Sequence, residues 1–317
     1  MKTITSIGLG YSGASAIYEF LQQTNFFFDP FPNAEFSITY DPGGIMDIDT
    51  CITNKFTPNR TKVVFDQFKR NIKFYTNKSN SLKPGKNLKI NNYDFDKILY
   101  EYLNSIIDLN YEGESFYLRH NNPKLVNFFK KLALKFNKKI KGQMFLFCNE
   151  DKFKEKTSDL FKKLFILNNE EKKDVIIDQG GTIWNPYSST IYFDDPRCLI
   201  IFRDPRDIFS EFKLKSSFSY PGKDVNVFCS WYKKIISQIN ENETKKSNIL
   251  KLNFEDFILN HKDTVNLISN HISTNINPEN VKFNLSKSKK NISRYIQDLS
   301  KEEILIIEKE LKNFLYI

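Results

Sequence analysis

Leu199 to Phe202 is an unbroken apolar run, the pattern of a short strand buried on both faces, because parallel strands covered by helices need not alternate. The run stops on Arg203, and Pro205 has no N–H with which to extend a ladder. Asp204 is placed to cap a helix whose first turns are residues 207–213. A second junction of this kind opens the chain. Residues 3–9 are rich in β-formers, and residues 8–15 in Gly and Ser. Residues 16–23 then carry Ala16, Ile17, Phe20 and Leu21 on one helical face. Residues 34–40 read as a second strand, and residues 41–44 as a turn by composition. Residues 174–178 and 249–254 repeat the strand pattern. Residues 227–239, around Trp231, and residues 300–315, with Glu302 and Glu303 in a capped first turn, read as amphipathic helices. Strands separated by helices predict an α/β fold, a three-layer α/β/α sandwich about a central parallel sheet. Between about 56 and 170 the pattern is mostly helical and rich in Lys, Phe and Tyr (92–109, 123–136, 151–167), with an exposed loop at 77–89. It reads as a helical insertion in a single domain, 1–317, that covers the sheet edge and shapes an acceptor pocket. No internal repeat or linker divides the chain.

Both junctions suit an anion. Arg203 falls at the carboxyl end of a buried strand beside a helix N-terminus, where open α/β sheets bind ligands; its bland alternative is a structural pair with Asp207. The glycine-rich turn at 8–15 would aim backbone N–H groups, with a helix dipole behind them, at a phosphate. Gly8, Gly10 and Gly13 match the GxGxxG dinucleotide fingerprint letter for letter, with Glu35 about where a ribose-binding acid would lie. Read alone, the first forty residues fit a nicotinamide enzyme of the sugar-nucleotide dehydrogenase type. A Walker-type nucleotidase fits less well, because the GK-Ser/Thr ending is missing.

Composition narrows this further. Forty per cent hydrophobic and 27% charged residues exclude a disordered chain. The net charge of +9 comes from Lys spread along the sequence rather than from dense basic blocks interleaved with aromatics. It suits anionic ligands, a membrane surface or an anionic glycan rather than nucleic acid. Cys51, Cys148, Cys198 and Cys229 are far apart and read as buried thiols in a reducing compartment. His120, His261 and His271 form no ligand pattern, so no metal is expected. No run approaches a membrane span. The start of the chain mimics a short signal peptide, but Gly8, Gly10, Ser12 and Gly13 break it up and no cleavage site follows, so a cytoplasmic protein is expected.

The motifs come in a telling order: Tyr11-Ser12-Gly13-Ala14-Ser15 after the first strand, Arg203-Asp204-Pro205-Arg206-Asp207 after residues 193–202, Leu252 to Asp256 after a later strand, and the basic stretch Ser286 to Tyr295. Over roughly 1–50 and 175–310 the chain resembles the nucleotide-dependent sulfotransferases, and bacterial members acting on carbohydrate most of all. That resemblance implies a P-loop NTPase-like sulfotransferase fold. It also implies 3′-phosphoadenosine 5′-phosphosulfate (PAPS) as donor, its bisphosphate (PAP) as product, and a hydroxyl of a surface polysaccharide or glycolipid as acceptor. Tyr11, Ser12, Gly13, Ala14, Ser15 and Ala16 would then hold the 5′-phosphosulfate. Arg203, Ser210, Lys287, Lys289 and Asn291 would hold the 3′-phosphate, and Glu35, between Ala34 and Phe36, would be the catalytic base. Asp41 and His120 are the reserve bases. Lys287, Lys289 and Asn291 read equally as a solvated basic loop, and Trp184 and Trp231 as core or pocket walls. Asp178 either lines the cleft or starts a turn. The chain departs from the family at Tyr11, where a Lys or Arg is usual, so either Lys287, Lys289 or Arg206 supplies the missing charge, or activity is weak or lost and a catalytically impaired nucleotide-binding protein remains. It departs again at Glu211, where a serine is common and Ser210 lies one residue early.

Overall fold

The computed structural model describes residues 1–32, 34–76, 92–113, 123–136, 138, 143–147, 149–167, 169–215 and 220–316. They form two compact units, one of Met1–Ser37 with Asn169–Ile317 and one of Ile38–Asn168. The first unit begins with β1 (Thr3–Gly8), α1 (Ala14–Gln23) and β2 (Phe27–Phe28). The second contains α2 (Ile45–Thr53), α3 (Pro58–Thr76), α4 (Asn92–Ser105), β3 (Ile107–Glu112), α5 (Lys124–Lys135), β4 (Gln143–Phe147) and α6 (Glu150–Ile166). The chain then returns to the first unit with β5 (Asp174–Asp178), α7 (Pro186–Thr190), β6 (Pro196–Phe202), α8 (Pro205–Lys215), α9 (Val225–Ile236), α10 (Glu241–Thr244) and β7 (Ile249–Asn253). It ends with α11 (Phe254–Leu259), α12 (His261–Ile272), α13 (Leu285–Lys289), α14 (Tyr295–Asp298) and α15 (Lys301–Glu310).

The sheet of the first unit is parallel throughout, in the order β2-β5-β1-β6-β7. Its strands are apolar on both faces because each face is covered. Ile4, Leu199, Ile201 and Leu252 pack with α1, α11 and α12. Ile7, Cys198, Ile200 and Ile249 point the other way, against α8, α9 and α15. Alternate residues of one strand thus feed two cores, and the unit is the expected three-layer α/β/α sandwich. Two helix starts follow the chain's own chemistry. The Asp204 carboxylate accepts from the N–H of Arg206 at 2.8 Å, one residue past Pro205. Ser300 and Glu303 form a capping box at α15.

Residues 34–40 are not the expected strand. Only Glu35 bridges to β5, opposite Asp178, with the Phe36 N–H on the Asp178 carbonyl. The carbonyls of Ile38 and Thr39 instead take the N–H groups of Ile45 and Met46, turning the backbone into α2. The short β2 occupies the sheet edge in its place. In the second unit the helical pattern at 92–109 ends at Ser105, and its last residues pair as β3 with β4 in an antiparallel ladder. Phe65, Phe68, Phe95, Phe145, Phe153, Phe161 and Phe165 of this stretch fill its core, as where Phe65 stacks on Phe145 with centroids 5.4 Å apart. The loop expected at 77–89, His120 and Cys148 lie outside the described residues. The other three cysteines are free and buried.

Candidate active site

The strand order puts β1 between β5 and β6. A dinucleotide-binding sheet has its first strand beside its second, so the glycine fingerprint does not stand where that cofactor would need it. Local packing accounts for the glycines. Gly13, the N-cap of α1, has φ +90°, and a Cβ there would lie 2.3 Å from the Phe254 ring. One on Gly10 would lie 2.5 Å from the Tyr220 hydroxyl.

What this packing leaves is a concave loop. Ser12 closes the turn with its N–H on the Leu9 carbonyl, and the Ala16 N–H reaches back to Gly13. The N–H groups of Gly13, Ala14 and Ser15 take no acceptor among the described residues, and the Ser12 hydroxyl is buried with no partner. Three backbone donors at the start of a helix, with a hydroxyl beside them, are built for an anion. They line a cleft of about 500 Å³ together with Glu35, Gln179, Arg203, Glu211, Lys215, Tyr220, Phe254, Ser288 and Asn291.

Arg203 reaches this cleft from the end of β6. It is 6% exposed. One terminal nitrogen donates to the Tyr11 carbonyl at 2.9 Å and the other to the Asn291 carbonyl at 2.6 Å. Its Nε is buried with no partner among the described residues. Arg203 therefore ties the glycine loop to the segment after α13 with two of its five N–H donors, and keeps Nε–H and the second N–H of each terminal nitrogen for other partners. It is not ion-paired with Asp207, whose carboxylate takes the N–H groups of Ser293 and Tyr295 and holds that segment in place.

Several expected ligands are elsewhere. The Ser210 hydroxyl is fully buried and donates to Asp298 at 2.7 Å, so the cleft does not contain it. Lys287 and Lys289 are exposed on α13 and do not line the cleft; Ser288 and Asn291 do. Arg206 cannot supply the loop's missing charge, because it is held by Asp204 and Glu308, both at 2.7 Å. Asp41 belongs to the second unit, where it accepts from the Tyr75 hydroxyl. Trp184 donates to the Ile235 carbonyl and Trp231 packs among Phe212, Phe228 and Tyr220; neither lines the cleft.

The cation that sequence reasoning missed is Lys215, on the last turn of α8. Its Nζ lies 4.4 Å from the centre of the Tyr11 ring and 2.7 Å from a Glu211 oxygen. Tyr11, in the turn before α1, is thus roofed by a lysine from α8, in a cation–π contact. The signal was present as a Glu-Lys pair four apart on a predicted helix, but nothing in the sequence tied it to Tyr11.

Glu35 and Asp178 are paired through their backbones, close enough for the Glu35 charge to act on the Asp178 carboxyl. Glu35 is exposed and lines the cleft. Asp178 is buried beneath the loop and accepts from the hydroxyls of Ser6 (3.4 Å) and Ser15 (3.2 Å). Burial, helped by the neighbouring Glu35 charge, pushes Asp178 up to about 7. Glu255, at the start of α11, accepts the Asp204 N–H at 2.9 Å and is pushed up to about 7 mainly by burial. Among the described residues no group of His, Cys, Asp and Glu is arranged to hold a metal.

No family model matches the chain, and no curated protein does. Among solved structures, the sulfotransferase domain of the Synechococcus PCC 7002 olefin synthase is 12% identical with a TM-score of 0.39, covering 98% of this chain and 86% of its own. Retinol dehydratase, solved with androsterone and the inactive cofactor PAP, is likewise 12% identical with a TM-score of 0.39, covering 98% of this chain and 80% of its own.

Proposed function

We propose that the protein transfers a sulfuryl group from PAPS to a hydroxyl, on the carbohydrate of a surface polysaccharide or glycolipid. The observation that carries this reading is the joining of three separate motifs, the loop at 11–16, Arg203 and Asn291, around one cleft with unused donors. A nucleotide with phosphates at both ends needs such a site: backbone N–H groups for one end and a buried guanidinium, with its planar fork, for the other. The carbohydrate acceptor rests on the sequence resemblance alone.

In the transfer the S–O bond to the donor phosphate breaks as one to the acceptor oxygen forms, the hydroxyl proton leaves to a base, and negative charge grows on the phosphate. The chain offers a residue for each demand. Glu35 is the exposed carboxylate in the cleft, placed to take the proton. The N–H groups of Gly13, Ala14 and Ser15 face the growing charge, and Lys215 stands over Tyr11 where the loop has no cation of its own. Tyr11 favours a second reading, a nucleotide-binding protein without turnover; Lys215 is the observation against it.

The test is calorimetry with PAP, 5′-AMP, ATP and NADH. PAP is expected to bind at least tenfold more tightly than the others. NADH binding best, or no preference for PAP, removes the donor assignment. Tight PAP binding with no PAP release from PAPS, across a panel of sugar acceptors, favours the second reading.

A further inference from the structure

α5 (Lys124–Lys135) leaves its apolar side uncovered. None of its residues is buried. At a helical pitch of 100° per residue, Leu125, Phe128, Phe129 and Leu132, with Phe136 just past the end, share one side. Asn127, Lys130, Lys131 and Leu134 lie on the other, with Lys124 and Lys135 at the boundary. A globular helix with this pattern turns its apolar side inward. Here Leu125 is 68% exposed, Phe128 57%, Phe129 62% and Phe136 69%. From Pro123 to Lys138 there are five lysines and no carboxylate.

We infer that α5 is a docking element for an anionic lipid surface, lying in the headgroup layer with its phenylalanines and Leu125 dipped toward the acyl chains. Charge and shape choose this occupant. The helix is too short to span a bilayer, and no helix among the described residues is long and apolar enough to do so. Its strongly amphipathic pattern, with Phe and Leu opposite Lys, is that of an interfacial helix. Lysines beside such a face reach lipid phosphates while their stems cover apolar surface.

The experiment is co-sedimentation of the full chain with vesicles of phosphatidylcholine alone and with 30% phosphatidylserine, with no nucleotide present, so that its outcome is independent of the donor chemistry. Binding to the serine-containing vesicles is expected, weakened by 0.5 M NaCl. The double variant Phe128→Glu/Phe129→Glu should bind about 100-fold more weakly. Both side chains are exposed, so its melting temperature should match that of the parent, which separates lost docking from lost folding. Failure to bind either vesicle overturns the inference. So does binding that the double variant retains, since general basic charge would then explain it. If the variant instead only converts a dimer to a monomer, the face is covered by a second copy and the lipid assignment is wrong.

Discussion

The two strand-to-helix junctions at the carboxyl edge of the sheet handle charge in opposite ways. Between β1 and α1 the positive surface is backbone, and it is open: Gly13, Ala14 and Ser15 keep their N–H groups without acceptors among the described residues. Between β6 and α8 it is side chains, and nearly every one is engaged. Asp204 holds Arg206 and the Tyr316 N–H, Asp207 holds the 293–295 backbone, and Arg203 spends two nitrogens on carbonyls. The first junction presents open backbone donors, and the second is the frame that holds them in shape. Arg203 belongs to both, since it fastens the loop with two N–H groups and retains others.

The largest effect expected concerns the floor of the open junction. Asp178 is pushed up to about 7 in the folded chain, against about 3.9 for an unfolded aspartate. Between those values the folded protein keeps a proton that the unfolded chain has released. This contribution to stability is therefore present at low pH and is lost as pH rises toward 7, by at most about 4 kcal/mol. Glu255, also pushed up to about 7, works in the same direction. Asp178→Asn stays neutral and can still accept from Ser15, so it should remove the Asp178 part of the slope. Urea midpoints at pH 5, 6, 7 and 8 read this directly. Equal slopes for parent and variant would mean that the loop sits over a charged carboxylate.

Next in size is the frame. Arg203→Ala should weaken PAP about 100-fold, the scale of a lost charge-assisted, bidentate contact, and 5′-AMP less than about fivefold. Arg203→Lys should not restore it, because one ammonium cannot reach two carbonyls and still hold a phosphate. Equal losses for the two nucleotides would reduce Arg203 to a strut between Tyr11 and Asn291.

What the sequence made legible follows the same division. The junctions could be read because their chemistry is local: an apolar run ending at Arg203, a Pro205 with an Asp204 cap, and a glycine turn before a periodic helix. Residues 34–40 misled because their β-forming composition competes with backbone bonds from Ile38 and Thr39 to α2, which no local pattern displays. GxGxxG misled for a related reason. Gly13 and Gly10 answer to Phe254 and Tyr220, more than 200 residues away, and only the strand order separates that use from a dinucleotide site. Ser210 had the right neighbourhood in sequence, but its helical phase aims it at Asp298. Lys215 was overlooked because its partner in space, Tyr11, precedes it by most of the chain.

Lys215 gives the smallest expected effect and the sharpest test of how the open junction acquires a cation. Its side chain is 51% exposed and paired with Glu211, so solvent and that carboxylate screen it, and the change should fall below the hundredfold or more typical of a buried charge-stabilising donor. Lys215→Ala is expected to lower kcat for PAP release about 30-fold while leaving PAP affinity within about threefold. That split marks a charge felt mainly as the phosphate leaves. Adding Tyr11→Lys to the Lys215→Ala chain moves the cation onto the loop itself and should recover most of the loss. If kcat is indifferent to Lys215, or Tyr11→Lys cannot replace it, the backbone donors at Gly13 to Ser15 carry the leaving charge unaided. The contrast between a backbone junction and a side-chain junction would then be complete, with α8 contributing only the frame.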